Sequence, residues 1–299
     1  MSKSSNTIQW MFIYGVVNIL LHLSNHHVSK SNISTEILFL QSFIPFLAQC
    51  VFYSLWSTDK KTPFPSWKET RDYGPVALFH AGSLYSMFRA LKYCSVRTVG
   101  VSRFVAPIVT SLYEGFIVRS IRWSRQQFLC LVGIFIGAIL SFRDVEFYGH
   151  VLSIPWIALN VLCTASGTTF AKYLLQHHLC PTQASLLENF YCSVVFLTQS
   201  FWSETWQTKA WKQSSSWSLT TKVSLVISCF IGYVITLSRQ HLRKELGTTK
   251  FLVFAGTIRI NSLFLVSKWF SKSLSWSGFI GVMMIVGFSL RYLLYEECS

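Results

Sequence analysis

Ten apolar runs, each long enough to cross a bilayer, divide this chain and leave almost no sequence over for a water-soluble domain. Their approximate positions are 8–24, 33–56, 73–94, 97–118, 124–142, 149–171, 182–202, 219–240, 247–268 and 275–294. Only 13% of the residues are charged and 51% are hydrophobic, with a mean hydropathy of +0.41. A soluble chain of 299 residues would need close to twice that charge to cover its surface. The first run, Ile8 to Leu23, has no small-residue cleavage signature and is expected to be a retained span. The expected fold is therefore an all-α membrane protein with ten transmembrane helices. The longest loops, Ser57 to Asp72 and Ser203 to Thr221, are too short to fold alone.

The ten runs fall into two related sets. Arg119-Ser120-Ile121-Arg122-Trp123-Ser124 reappears, lightly altered, as Lys272-Ser273-Leu274-Ser275-Trp276-Ser277, 153 positions later. Gly82 and Arg89 match Gly232 and Arg239 at an offset of 150, and Arg103 matches Arg259 at 156. A duplicated membrane half is a mark of secondary transporters, whose substrate site lies where the repeats meet. Five spans per repeat is an odd number, so the second repeat enters the bilayer from the opposite side. The expectation is one transmembrane domain over 1–299, built from inverted repeats 1–144 and 149–299. Lysines and arginines in the loops favour the side of the N-terminus by fourteen to nine, which puts both termini in the cytosol.

Charged groups inside spans are costly and call for a partner or a wet cavity. Arg103 lies within span four and Arg259 near the middle of span nine. An arginine at a helix centre costs about 2.5–3.5 kcal/mol on insertion scales. Two readings follow: a guanidinium fork for phosphate oxygens, or an internal ion pair with Glu114 or Glu188. The net charge of +14 suits an anionic substrate, and cytosolic loops of membrane proteins are basic in any case. Gly100 and Gly256, one turn from these arginines, would let a ligand approach the backbone. Asn160, Asn189 and Asn261 are amides within spans, where they either bridge helices or read a base edge or sugar hydroxyls. Glu188, beside Asn189, would accept from a base N–H or neutralise an arginine.

Other features are structural. Eight cysteines, without a C-x-x-C pair, are expected to pack rather than bind metal or form disulfides. The pairs His26-His27 and His177-His178 point about 100° apart on a helix and do not converge on one ion. Gly133-x-x-x-Gly137 and the series Gly278, Gly281, Gly287 offer flat strips, for packing within the fold or for a homodimer seam. The Asn32-Ile33-Ser34 sequon lies too close to span two to be used. No spaced catalytic cluster or nucleophile–base pair is visible, so no enzyme activity, cofactor, metal or nucleic-acid partner is expected.

From about Ala77 to Tyr292 the chain resembles the nucleotide-sugar transporters of the drug/metabolite transporter superfamily, nearest the UDP-glucuronate, UDP-N-acetylhexosamine and GDP-mannose branch. The resemblance rests on Arg103-Phe104, Glu114-Gly115, Leu159-Asn160, Thr164-Ala165 and Lys172, and on Gly247-Thr248-Thr249 with Gly256-Thr257-Ile258-Arg259. A family Tyr-Asn element on the seventh span corresponds to Glu188-Asn189. The chain departs from the family at three points: Asn261 is displaced from Arg259 by one residue, Ser102 stands where a basic residue is common, and Glu188 replaces an aromatic. The resemblance implies a Golgi antiporter, or one of the endoplasmic reticulum. It would move a nucleotide sugar, UDP-sugar favoured, into the lumen in exchange for nucleoside monophosphate. On that reading Arg103 and Arg259 neutralise phosphates, Asn189 and Glu188 contact the base, and Asn261 and Ser102 the sugar, with Gly256 beside them. The rival expectations are a GDP-mannose or sugar-phosphate carrier of the same superfamily and a non-transporting membrane adaptor.

Overall fold

The computed structural model describes residues 2–29, 35–56, 64–91, 93–94, 99, 102–116, 124–142, 151–202, 219–269 and 276–294. Among them the regular structure is all helical. The elements are α1 (Ser2–Ser29), α2 (Thr35–Trp56), α3 (Trp67–Leu91), α4 (Val105–Phe116), α5 (Arg125–Phe142), α6 (Ser153–His177), α7 (Pro181–Trp202), α8 (Leu219–Glu245), α9 (Thr248–Trp269) and α10 (Trp276–Leu294). Each falls on one of the ten apolar runs. The hexapeptide repeat, apart from Ser124, Trp276 and Ser277, lies outside the described residues, as does the sequon.

Local sequence sets several of the helix starts. Ser66 and Glu69 form a capping box ahead of α3: the Ser66 backbone N–H donates to Glu69 Oε2 at 2.6 Å, and the Glu69 N–H donates to Ser66 Oγ at 3.3 Å. Gln183 accepts from the Cys180 N–H at 3.0 Å ahead of α7, whose first residue is Pro181. The run that predicts α4 is interrupted: Val99 and Ser102 are helical, the backbone turns at Arg103 and Phe104, and α4 itself starts at Val105.

Many of the helices carry apolar side chains outward, and some bury polar ones. On α8, Ser228, Ser238 and Gln240 are fully buried, whereas Val226 and Phe230 are 66% and 68% exposed. On α5 the outer side is apolar as well, with Phe128, Leu129, Phe135, Ile136 and Ile139 exposed while Leu131 and Ile134 are buried. That is the pattern of a chain whose solvent is hydrocarbon. By length and composition, the described residues contain three helices able to cross a membrane: Ser153–His177, Lys222–Glu245 and Trp276–Leu294. Shorter apolar helices cover Asn6–Leu21, Leu38–Phe52 and Arg125–Ser141. The expectation of ten spans is thus met as ten helices but by only three clear spans. The physical reasons differ by element: α3 opens with Lys68, Glu69, Arg71 and Asp72, α9 carries Lys250, Arg259 and Lys268, and α4 has 12 residues.

Two compact units form, and each draws on both halves of the sequence. The first contains residues 1–81 and 170–245, the second 82–169 and 246–299. In the first unit α1 packs on α8, α2 on α7, and α8 on both α2 and α7. Its buried centre includes Tyr73, Val76, Ala77, Ala171, Leu175, Ala184 and Leu187. In the second unit α5 packs closely on α10, α4 on α9, and α9 on α10. Its core gathers Phe104, Leu131, Ile134, Val253 and Ile285.

The tightest seam is that between α5 and α10. A Cβ on Gly137 would lie 2.8 Å from the Gly281 carbonyl oxygen, and one on Gly281 would lie 2.6 Å from that of Gly137. Gly133 faces the Phe288 ring just as closely. The small-residue strips therefore serve packing within the chain, where backbones meet without side chains between them. Gly287 stands apart, with nothing within 4 Å of its Cβ position.

Candidate functional site

The polar interior of the first unit centres on one carboxylate. Glu188, in the second turn of α7, is 1% exposed. Its Oε1 meets Arg239 of α8 and, at 2.9 Å, His80 Nε2 of α3. Its Oε2 accepts from the Tyr73 hydroxyl at 3.2 Å, from the Gln240 amide, and from Arg243 at 3.4 Å. Gln240 Nε2 also donates to the Tyr73 oxygen at 2.9 Å. Helical periodicity explains the convergence. Arg239 and Arg243 are four residues apart on α8, and Tyr73 and His80 are two turns apart on α3, so each pair shares a face. A lone buried carboxylate is strongly disfavoured, and two guanidinium groups with three neutral donors satisfy it.

Asn189 bonds to a neighbouring helix of the first unit. Its Nδ2 lies 3.4 Å from Gln49 Oε1 of α2, while Gln49 Nε2 donates to Ser185 Oγ at 2.7 Å. This amide chain ties α2 to α7 inside the first unit.

In the second unit the arginines expected to bind phosphate stand on or beside α4 and α9. Arg103 occupies the turn before α4, half-buried, with a terminal nitrogen 2.7 Å from Met87 Sδ. Ser102 is buried and donates to the Val99 carbonyl at 2.9 Å, closing the same turn. Arg259 is half-buried on α9, three residues beyond Gly256. Gly256 does not leave space for a ligand: a Cβ there would lie 2.9 Å from the Phe104 ring, which fills the gap. Close approach is needed, as the sequence suggests, but by an aromatic side chain. Asn261 lies on the backbone of α9, and its side chain is outside the description.

Glu114 accepts from Thr249 Oγ1 at 2.8 Å, joining the end of α4 to the start of α9. Asn160 donates to the Ser83 carbonyl and, at 3.1 Å, to its hydroxyl, so it bridges α6 and α3. Arg89 donates to the Tyr85 hydroxyl at 2.8 Å and lies over the Tyr85 and Trp156 rings.

The expected site residues thus divide between the units: Glu188 and Asn189 in the first, Ser102, Arg103, Gly256, Arg259 and Asn261 in the second. Of the two sequence readings of Glu188, neutralising arginines is the one the geometry realises, with Arg239 and Arg243 as partners. Arg239 enters the sequence reading only as the repeat match of Arg89, Arg243 lies beyond the eighth apolar run, which ends at 240, and Tyr73, His80 and Gln240 carry no local signal. The i, i+4 spacing of Arg239 and Arg243 was the available signal.

Residues 7–143 match the EamA-like transporter family. No curated protein matches the chain. A solved structure described as "Crystal structure of protein" superposes with a TM-score of 0.72 at 12% identity, covering 97% of this chain and 97% of that one. That likeness is one of fold.

Proposed function

We propose that this chain is a membrane transporter of the drug/metabolite transporter superfamily that carries an anionic substrate, of the nucleotide-sugar class, by exchange. The observation that carries the transporter reading is the match of residues 7–143 to the EamA-like transporter family. The helical content, the outward apolar faces and the three long apolar helices fit it. Inverted repeats 1–144 and 149–299 belong to the same reading. It is supported by the pairing, within the units, of some helices five apart in order: α2 with α7, α4 with α9 and α5 with α10.

The anionic cargo is supported by charge. Arginines occupy polar interiors of otherwise apolar helices in both units, and acidic groups are scarce, with 12 against 26 basic residues in the whole chain. UDP-sugar inward against nucleoside monophosphate outward, in the Golgi membrane with both termini cytosolic, is the form the family resemblance favours. Exchange follows from the cost of unpaired guanidinium charge: an empty carrier resists switching faces, whereas either anion permits it.

The test is uptake. Purified protein in vesicles preloaded with UMP is expected to accumulate a UDP-sugar faster than in empty vesicles. Equal rates would defeat exchange, and no uptake of any nucleotide sugar would defeat the class of cargo. Competition by free UMP against GMP separates a UDP carrier from a GDP-mannose carrier, and indifference to both bases points to a sugar-phosphate carrier.

A further inference from the structure

Arg89, in the last turn of α3, stands in a corner made by two aromatic rings. Its Nε donates to the Tyr85 hydroxyl at 2.8 Å. Its guanidinium carbon lies 5.3 Å from the Tyr85 ring centre and 5.9 Å from that of Trp156 on α6. The two rings meet edge to face, 5.8 Å apart at 86°. Ring contact and hydrogen bond together fix the plane of the guanidinium. All three side chains are half-buried and belong to the second unit. Among the described residues no carboxylate pairs with Arg89. Its two terminal nitrogens bond to no described side chain, and neither is sealed from the outside. Arg239, which matches Arg89 at an offset of 150, is neutralised by Glu188. One arginine of the matched pair thus has its anion built in, and the other does not.

The place of this corner names the missing anion. Between Asp72 and Arg89, α3 has no lysine, arginine, aspartate or glutamate, so a helix crossing the apolar layer puts Arg89 at its far boundary. Trp156 stands in the first turn of α6, and Val151, Leu152 and Ile154 beside it in sequence are exposed. At that depth arginine and aromatic rings meet headgroup phosphates, with apolar surface at hand for an acyl chain.

We infer that Arg89, held by Tyr85 and Trp156, binds the phosphate of an anionic phospholipid. The outer edge of the guanidinium presents two parallel N–H donors, which match two phosphate oxygens. The headgroup must carry net negative charge, because a zwitterionic one brings its own ammonium and leaves the arginine uncompensated. Tyr85 and Trp156 are positioning residues that hold the fork in one plane. The site needs a bilayer but no particular cargo, so it stands apart from the exchange reading.

The full chain in detergent is titrated with phosphatidylglycerol, and retained lipid is read by native mass spectrometry. Phosphatidylcholine with the same acyl chains and inorganic phosphate are titrated in parallel. Wild type is expected to bind phosphatidylglycerol saturably and neither of the others. Arg89→Gln is expected to raise the half-saturating lipid about tenfold, and Arg89→Lys, which keeps the charge without the fork, about threefold. Trp156→Leu is expected to raise it about threefold at unchanged charge, and Trp156→Phe, which keeps a ring, to restore it. Arg71→Gln removes an exposed arginine beside Asp72 at the opposite end of α3 and is expected to change nothing. An unchanged half-saturation in Arg89→Gln would overturn the site, as would an equal loss in Arg71→Gln, which would mark general charge attraction. If Arg89→Gln does not fold, an unchanged Arg89→Lys overturns it. Equal binding of phosphatidylcholine would overturn the anionic requirement, and saturation by inorganic phosphate alone would overturn the lipid. Binding as wild type in Trp156→Leu would overturn the positioning by the rings.

Discussion

At the residue scale, contact geometry changes what several side chains are for. Gly256 is a glycine because Phe104, fully buried, lies against the α9 backbone. Gly256→Ala is expected to overpack that contact and cost about 1–3 kcal/mol, read as a lower unfolding temperature in detergent. Phe104→Leu in the same chain should return part of the loss, since the two positions share one space. No rescue would mean that the glycine serves something other than the ring. Arg259 belongs at this scale too. Arg259→Ala should weaken UMP binding by the detergent-purified protein while its unfolding transition remains cooperative. Unchanged binding would remove it from the site. The sequence marks Arg103 and Arg259 as unusual through burial cost alone. It does not mark His80 or Tyr73, because their partner Glu188 is more than a hundred residues away and no local spacing encodes the meeting.

At the scale of elements, all ten helices are legible from the apolar runs, and their starts are legible where a cap exists, as at Ser66 and Glu69. The start of α4 is not, since the turn at Arg103 and Phe104 interrupts a run that is apolar on both sides. The end of α8 was lost for the opposite reason: charge within a helix resembles charge after one. The glycine seam is the element contact that sequence alone leaves ambiguous between intramolecular packing and a dimer, and its atoms give a sharp contrast. At Gly281 the Ser141 hydroxyl lies 2.5 Å from the Cβ position, and with it stand two backbone atoms that cannot move aside, the Gly137 oxygen at 2.6 Å and the Ser141 nitrogen at 2.7 Å. Gly281→Ala is expected to separate α5 from α10 and cost about 1–3 kcal/mol or more. Gly287→Ala, with open space at its Cβ, should be neutral or stabilising by up to about 1 kcal/mol through helix propensity. Equal effects at the two positions would contradict the seam.

At the scale of the whole molecule, the internal duplication is read from sequence as two consecutive halves, while compactness groups the chain differently. Each unit takes helices from before and after the loop that joins α5 to α6. Neither half then contains a finished core. Fragments 1–144 and 149–299 expressed together are expected to co-purify as a folded complex, and each alone to aggregate or be degraded. Independent, cooperatively unfolding fragments would show that the halves are self-sufficient. The division is also not legible in the sequence, since the candidate site residues fall in two units whose bounds the linear chain does not announce.

The pairing of α5 with α10 also sets an order on biosynthesis. The first unit has all its chain once Glu245 has emerged, but the strip at Gly133 and Gly137 waits for Gly281. Until the last helix is made, that bare backbone ridge has no mate and remains available to chaperones or to a neighbouring nascent chain. A stop codon before Trp276 would therefore leave the first unit's chain whole and the ridge at Gly133 and Gly137 uncovered.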